Sequence, residues 1–312
     1  MHASLARPRG TGDRAALPLL DPRGARVILG AQPAAAVAPI APSATSLFGP
    51  RGACLAAADG PLFVCDTGHH RVLVWEKAPA ADGAPADRVL GQPDFVSEGR
   101  RTLSVPTGVA FAEGWLAVAD AWNHRVLLWR GIPQAWDAPP QVALTGGLFW
   151  PYGVALNRGR LYVADTGNRR ALVWNSIPDT NRPPDRVLGD DMHWPHAFAF
   201  AGERVFIADA GAHRVLGAEA VAKEELNMPY GVAVSGGLLI VADTANSRLL
   251  GFDFDGSARY LAGQRSLAEK GDNRWATATR DSLCWPYGVA ACGSTLVVAD
   301  SGNNRVMLWD LA

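Results

Sequence analysis

The chain has 312 residues, and 48% of them are hydrophobic, which is enough apolar material for one large domain or two ordinary ones. Its 29 basic and 30 acidic residues leave a formal net charge of −1, which argues against a surface built to hold a nucleic-acid backbone. No apolar run approaches the roughly 18 residues of a membrane helix, and the N-terminus lacks a signal-peptide core. We therefore expect a cytoplasmic protein whose four cysteines stay reduced.

One short pattern recurs six times along the chain. Each copy has an Asp-x-x-x-x-Arg corner and an upstream proline, 16 residues before the aspartate in the first copy and 14 residues before it in the other five. The prolines are Pro50, Pro106, Pro151, Pro195, Pro229 and Pro286. The corner pairs are Asp66 and Arg71, Asp120 and Arg125, Asp165 and Arg170, Asp209 and Arg214, Asp243 and Arg248, and Asp300 and Arg305. Such repetition predicts one structural unit per copy.

Within each copy, apolar runs bounded by turn residues predict four short strands. In the second copy, the runs 108–111 and 115–119 are separated by a Glu-Gly turn. A third run, 125–129, follows the corner, and a fourth, 142–144, follows a proline-rich loop. Four strands in each of six copies predict an all-β fold, a six-bladed β-propeller.

The blades are predicted near residues 50–92, 106–146, 151–190, 195–227, 229–264 and 286–312. The last copy stops after its third strand, and a spare strand at 25–30 resembles the missing fourth one. We therefore predict that this N-terminal strand completes the last blade and closes the ring, which removes an exposed sheet edge. Residues 1–24 are expected to be flexible, ahead of a single propeller spanning 25–312. The fourth strand of blade 4 is expected in the polar stretch 221–226.

These corners resemble those of the NHL repeat family, whose name comes from an Asn-His-Leu run approximated here by Asn123-His124-Arg125. The resemblance covers roughly residues 25–312, and the run 89–95, Val-Leu-Gly-Gln-Pro-Asp-Phe, is similar to bacterial members. It implies a six-bladed propeller of NHL repeats. Such propellers serve as sensors, as protein- or RNA-binding platforms and, in one branch, as a metal-dependent amidating lyase.

The corner residues are interpreted as structural. The aspartate is expected to accept backbone N–H groups two or three residues later, and the arginine to reach a nearby carboxylate or carbonyl. Both residues recur in all six copies, whereas a catalytic group in an asymmetric reaction would not need six copies.

The residues beside the prolines, unlike the corner residues, differ from one copy to the next. The strand order places the prolines, the corners and the long crossovers 31–49, 92–105 and 264–283 on one face, around a central opening. Aromatic side chains with polar tips suit ligand or peptide recognition, although they would equally plug the inner rim of a propeller. The predicted binding residues are Arg51, Trp150, Tyr152, Trp194, His196, Tyr230, Trp285 and Tyr287.

The innermost strands carry no charged residue or histidine, and the chain has no G-x-S-x-G, H-E-x-x-H or Walker-type motif. We predict no catalytic residue, no cofactor and no metal site. The expected function is a non-enzymatic binding or scaffold module for a protein, peptide or small ligand, rather than for nucleic acid or a membrane. The alternatives are a metal-dependent lyase or hydrolase, which metal analysis tests, and an RNA-binding platform, which the salt dependence of binding tests.

Overall fold

The computed structural model describes residues 16–30, 40–99, 101–189, 191–218, 226–254 and 259–312. These residues form short strands joined by turns and loops. The strands are β1 (Leu17–Pro18), β2 (Val27–Gly30), β3 (Ala53–Leu55), β4 (Leu62–Asp66), β5 (Arg71–Trp75), β6 (Arg88–Leu90), β7 (Pro106–Ala112), β8 (Trp115–Asp120), β9 (Arg125–Arg130), β10 (Val142–Leu144), β11 (Pro151–Asn157), β12 (Arg160–Asp165), β13 (Arg170–Trp174), β14 (Arg186–Leu188), β15 (Pro195–Ala201), β16 (Arg204–Asp209), β17 (Arg214–Leu216), β18 (Pro229–Ser235), β19 (Leu238–Asp243), β20 (Arg248–Asp253), β21 (Arg259–Ala262), β22 (Pro286–Cys292), β23 (Thr295–Asp300) and β24 (Arg305–Asp310).

Short 3-10 helices follow the second strand of every blade. They span Thr67–His69, Ala121–Asn123, Thr166–Asn168, Ala210–Ala212, Thr244–Asn246 and Ser301–Asn303, and a further one spans Asp272–Trp275. No helix among the described residues is long and apolar enough to span a membrane.

The strands form six sheets that follow one another along the chain as blades 1 to 6. The sheets hold β3–β6, β7–β10, β11–β14, β15–β17, β18–β21 and β22–β24. The chain is therefore a six-bladed β-propeller, as the sequence predicts. Blade 4 has three strands in the described ranges. Its fourth strand was expected in the stretch 221–226, of which residues 221–225 lie outside those ranges.

The predicted closure of the ring is confirmed. Strand β2 pairs antiparallel with β24, with Val27 opposite Leu308 and Gly30 opposite Arg305. The N-terminal strand is thus the fourth strand of blade 6 and covers the outer edge of β24.

Residues 16–24 belong to the segment expected to be flexible, and they lie against blades 5 and 6. Strand β1 pairs in parallel with β21, and the Leu19 N–H donates to the Leu261 carbonyl at 3.0 Å. Leu19 and Leu20 are 1% and 2% exposed, inside the cluster shared by the two blades. Two adjacent leucines show no strand or helix period, so the sequence pattern gives no sign of this packing. Residues 1–15 lie outside the described ranges.

The hydrophobic core lies between neighbouring blades rather than around the central axis. Each large buried cluster combines two adjacent blades, as where Leu62 of blade 1 and Val297 of blade 6 share one cluster. The smallest cluster, between blades 3 and 4, has Ala171, Met192 and Ile207 as its buried members. Because each blade is covered on both faces, its strands are apolar throughout instead of alternating.

Glycines let the innermost strands approach one another around the axis. A Cβ atom added to Gly153 would lie 1.9 Å from the His196 carbonyl oxygen, and one added to Gly52 would lie 2.5 Å from the Thr107 carbonyl oxygen. Each of these glycines follows a residue beside a blade proline. The close approach of backbones therefore sets the width of the central opening.

Candidate functional site

Each corner aspartate is fully buried and reaches back to the loop before its own blade's proline. Oδ1 of Asp165 accepts the Phe149 N–H at 2.8 Å, and Oδ2 accepts a 2.8 Å hydrogen bond from Nε of Arg170. The other five corners repeat both bonds. The expected bonds to N–H groups two or three residues later are not made. That part of the prediction is wrong, because the turn closes on its own backbone, as in the bond from the Arg169 N–H to the Thr166 carbonyl.

The corner arginine extends from its aspartate to the crossover loop. Nη2 of Arg71 donates to the Ser43 carbonyl at 2.9 Å, and Nη2 of Arg305 donates to the Ser282 carbonyl at 2.8 Å. Each crossover is thus tied to the same corner that anchors the proline segment, which makes this face of the propeller a connected hydrogen-bonded surface.

The corners also hold the proline segment of the next blade. The Thr67 hydroxyl donates to the Pro106 carbonyl at 2.7 Å, and Nδ1 of His70 accepts the Val105 N–H at 3.0 Å. A hydroxyl follows the aspartate in four of the six corners, and this recurrence was the available sequence signal for a link that we did not predict. His70, His124 and His213 therefore link each of their blades to the next one along the chain.

These hydrogen bonds between blades hold several residues before the prolines in an unusual backbone conformation. Trp150, Met228 and Trp285 have φ values of 49°, 51° and 49°, in the left-handed region that bulky residues avoid. Side chains of the preceding blade accept their N–H groups, from Nδ1 of His124 at 3.1 Å in the case of Trp150. Backbone strain of this kind persists only where the surroundings impose it, and it often marks a functional site.

Three tryptophans before the prolines, Trp150, Trp194 and Trp285, form what we call the rim tryptophans. Their side chains are 47%, 49% and 37% exposed. Trp150 also stacks on Phe149 at a centroid distance of 5.6 Å and an angle of 4°. These predicted binding residues lie outside the central cavity wall and are exposed to solvent.

The residues after the prolines, one from each blade, line a central cavity of about 160 Å³. We call these six the mouth residues. They are Arg51, Thr107, Tyr152, His196, Tyr230 and Tyr287. Below them, apolar residues of the innermost strands such as Val109, Phe198 and Val289 complete the wall. The structure therefore brings five of the eight predicted binding residues together in one cavity.

The mouth residues contact one another around the opening. Ring centroids are 4.4 Å apart for Tyr152 and His196, 4.3 Å for His196 and Tyr230, and 4.5 Å for Tyr230 and Tyr287. Cζ of Arg51 lies 4.8 Å from the Tyr287 ring centroid and 5.4 Å from that of Tyr152. A cation at these distances from two aromatic faces is attracted by both.

Thr107, which we did not predict as a binding residue, occupies the sixth place in the mouth. It is 4% exposed, and its hydroxyl donates to the Tyr152 carbonyl at 2.8 Å. Because it is small and turned toward blade 3, Arg51 of blade 1 reaches past it to the ring of Tyr152.

Burial shifts the pKa values of three groups in the cavity, His196, Tyr230 and Cys54. It lowers the pKa of His196 to about 3, with a smaller contribution from Arg51, so the imidazole is neutral; its Nδ1 lies 2.7 Å from the Trp194 carbonyl. Burial also raises the pKa of Tyr230 to about 12 and that of Cys54 to about 11. The tyrosine is therefore a hydrogen-bond donor at neutral pH, and the cysteine is a thiol rather than a nucleophilic thiolate.

The long crossover 264–283 is fastened to blades 5 and 6. Nε2 of Gln264 donates to the Ser247 carbonyl of blade 5 at 3.0 Å, and Asn273 and Asn303 of blade 6 exchange side-chain hydrogen bonds at 2.9 Å. Trp275, at its 3-10 helix, is 82% exposed. The crossover thus adds another exposed aromatic residue to the face that carries the mouth.

The two alternative functions require either a cluster of metal ligands or a surface with an excess of basic residues. Within the described ranges, no three or more histidine, cysteine, aspartate or glutamate side chains are grouped so that they could hold a metal ion. Two arginines of the crossover 264–283 have acidic partners, Arg274 with Asp281 at 2.8 Å and Arg280 with Asp82 at 2.5 Å. These ion pairs reduce the positive charge that an RNA backbone would meet.

The fold and the mouth define the class of this protein, a six-bladed β-propeller with an aromatic opening on its corner face. The sequence profile of the NHL repeat matches residues 226–252, which include the Asp243 corner of blade 5. The resemblance to NHL-repeat propellers is confirmed by this match together with the six-bladed arrangement.

Solved structures with the same fold are distant in sequence. A chain of a nidogen/laminin complex has 17% identity and a TM-score of 0.52, over 77% of this chain and 84% of that one. A chain of Kuenenia stuttgartiensis hydrazine synthase has 15% identity and a TM-score of 0.53, over 89% and 99%. A Bacteroides thetaiotaomicron structural genomics protein of unknown function has 12% identity and a TM-score of 0.58, over 93% and 75%. No curated protein matches this chain in sequence. These similarities concern the fold alone.

Proposed function

We propose that this propeller is a non-enzymatic binding module that holds a partner protein or peptide on the face that carries the mouth. The observation that supports this most directly is the distribution of exposed aromatic side chains. Of eight such residues in the described ranges, seven lie on this face and one, Phe254, does not. The seven are Phe48, Trp122, Phe149, Trp150, Trp194, Trp275 and Trp285. Aromatic residues of this kind are the usual anchors of protein interfaces.

The chemistry of the mouth supports binding rather than reaction. His196 is neutral with Nδ1 at the Trp194 carbonyl, and Cys54 is protonated, so neither provides an activated nucleophile or a base poised near neutral pH. The free cysteines of the chain suit a reducing compartment, and we place the protein in the cytoplasm.

A double substitution in the mouth tests the proposal. A partner is first captured from native extract and purified, and its dissociation constant is then measured with the Tyr230→Ala/Tyr287→Ala variant. Anchors of this kind contribute roughly 2 kcal/mol each, so affinity is expected to fall by well over tenfold. Circular dichroism and thermal unfolding establish that the variant is folded.

Arg130→Ala is the matched control. Its guanidinium also lies over an aromatic ring, at 4.5 Å from the Trp115 centroid, but at the end of β9 remote from the corner. This change is expected to leave the dissociation constant unaltered. Normal binding by the mouth variant, together with lost binding by Arg130→Ala, would show that the partner uses the opposite face.

A further inference from the structure

The central cavity combines a single positive charge with an apolar wall. Among the described residues that line it, Arg51 is the one charged side chain, and the wall holds no aspartate or glutamate. Its guanidinium lies by the rings of Tyr152 and Tyr287 instead of against a carboxylate of the wall. A guanidinium in this setting presents a planar fork of N–H donors that matches the two oxygens of a carboxylate.

Other mouth residues add neutral hydrogen-bonding groups beside Arg51. The rings of Tyr230 and Tyr287 stack at 4.5 Å and an angle of 15°, which brings two hydroxyl groups to one side of the opening. With one cation and no second basic residue in the wall, the cavity balances one negative charge. A phosphate dianion would bring a second charge that nothing in the wall offsets.

The size of the cavity limits the group that accompanies the charge. Its volume is about 160 Å³, and an apolar cavity of about 150 Å³ is known to hold one benzene ring. The wall below the mouth includes Val109, Val154, Phe198 and Val232. A small apolar group therefore fits the space next to the arginine.

We infer that the mouth binds a carboxylate attached to a small apolar group, with Arg51 as the charged partner and the innermost strands around the apolar group. The inference rests on the proposed function for the choice of this face. Two sources supply such a carboxylate, namely the C-terminal residue of a partner chain and a free small acid.

Titration with an acid and its matched amide tests the inference. Benzoate and benzamide have nearly the same shape and differ in charge, and isothermal titration calorimetry at one fixed ionic strength compares their affinities. Benzoate is expected to bind at least about tenfold more tightly than benzamide, because the arginine makes charge-assisted hydrogen bonds to the acid alone. Arg51→Gln is expected to abolish the difference, whereas Arg130→Gln, a change of the same type on the opposite face, keeps it.

Arg51→Lys keeps the test usable if Arg51→Gln does not fold. It retains the charge and loses the planar fork, so it is expected to keep the preference for benzoate at reduced affinity. The inference is overturned if wild-type protein binds benzoate no better than benzamide, if the preference survives in folded Arg51→Gln, or if inorganic phosphate binds more tightly than benzoate.

A peptide pair distinguishes the two sources of the carboxylate. A synthetic pentapeptide that ends in phenylalanine is titrated with a free and with an amidated C-terminus. A preference for the free terminus assigns the mouth to the end of a partner chain, and equal peptide affinities beside tight benzoate binding assign it to a free acid. Partner binding separates this inference from the proposed function. If the Tyr230→Ala/Tyr287→Ala variant loses the partner but wild-type protein shows no preference for benzoate over benzamide, the inference is overturned and the proposed function stands.

Discussion

Asp300 and Arg305 are both 0% exposed, and Oδ2 of the aspartate accepts a 2.7 Å hydrogen bond from Nε of the arginine. Burial raises the pKa of the Asp300 carboxyl, and the charge of Arg305 opposes that rise. The same carboxylate holds the Cys284 N–H at 2.7 Å, one residue before the rim tryptophan Trp285. A charge pair inside the blade thus positions the face on which binding is proposed.

The first prediction is that Asp300→Ala destabilises the protein strongly. The change leaves the buried guanidinium of Arg305 without its carboxylate, and breaking a buried pair in this way lowers the free energy of unfolding by about 3–5 kcal/mol. Chemical denaturation measures the loss. Glu203→Gln, which weakens an exposed pair with Arg158, is the control and is expected to cost at most about 1 kcal/mol. Similar losses for the two variants would show that the buried pair has no special role.

The second prediction concerns His69, whose two ring nitrogens both face acceptor oxygens. Nδ1 lies 2.8 Å from Oδ2 of Asp66, and Nε2 lies 2.7 Å from the Ile40 carbonyl. Only the imidazolium donates to both. Burial and the nearby Arg71 favour the neutral ring, but the bonds to Asp66 and Ile40 raise the pKa of His69 above its usual 6.5.

Because the pKa of His69 is raised in the folded state, protonation of its ring stabilises the fold. This stabilisation is complete below the unfolded pKa of 6.5 and is lost as the pH rises through the folded pKa. His69→Asn removes the titratable ring and keeps a donor to the corner aspartate, as Asn123 donates to Asp120 at 2.8 Å. Unfolding free energies of the two proteins, measured from about pH 5.5 to about pH 8.5, are expected to differ most at the acidic end. A difference that does not change with pH would contradict the cationic ring.

The sequence was sufficient to predict the blades, because sixfold repetition averages out the ambiguity of any single apolar run. The Asp-x-x-x-x-Arg corner and the proline also located the opening, since identical units in a ring bring identical positions together. The sequence did not reveal the hydrogen-bond partners of Asp165. The Phe149 N–H that it accepts belongs to a residue 16 positions earlier, whereas a bond within the turn is the simpler expectation. Nor did the sequence show that Arg51 of blade 1 reaches Tyr152 of blade 3, which depends on the small Thr107 between them.

The third prediction concerns the N-terminal segment. Deleting residues 1–20 removes β1 and the buried side chains of Leu19 and Leu20, so the melting temperature is expected to fall clearly below that of the protein that lacks residues 1–15. Deleting residues 1–30 also removes β2, exposes the edge of β24 and is expected to destabilise further. Differential scanning fluorimetry compares the three truncated proteins. Equal melting temperatures for the first two would mean that the leucines contribute nothing to the core.

The last prediction concerns the close approach of blades 3 and 4 at Gly153. An alanine there places Cβ 1.9 Å from the His196 carbonyl oxygen, a distance that forces the backbones apart. Overpacking of this kind costs about 1–3 kcal/mol, and the cluster between these two blades has few buried side chains to absorb the shift. We expect Gly153→Ala to lower the unfolding free energy by that amount and to weaken benzoate binding, because His196 belongs to the mouth.

Ala197→Gly is the matched control, since Ala197 of blade 4 stands where Gly153 stands in blade 3. Removing its methyl group creates no clash and is expected to cost at most about 1 kcal/mol through backbone entropy. Chemical denaturation and calorimetry with benzoate are applied to both variants. If Gly153→Ala is as stable as wild type and binds benzoate equally well, the blades move apart freely at this point, and the glycine does not set the width of the mouth.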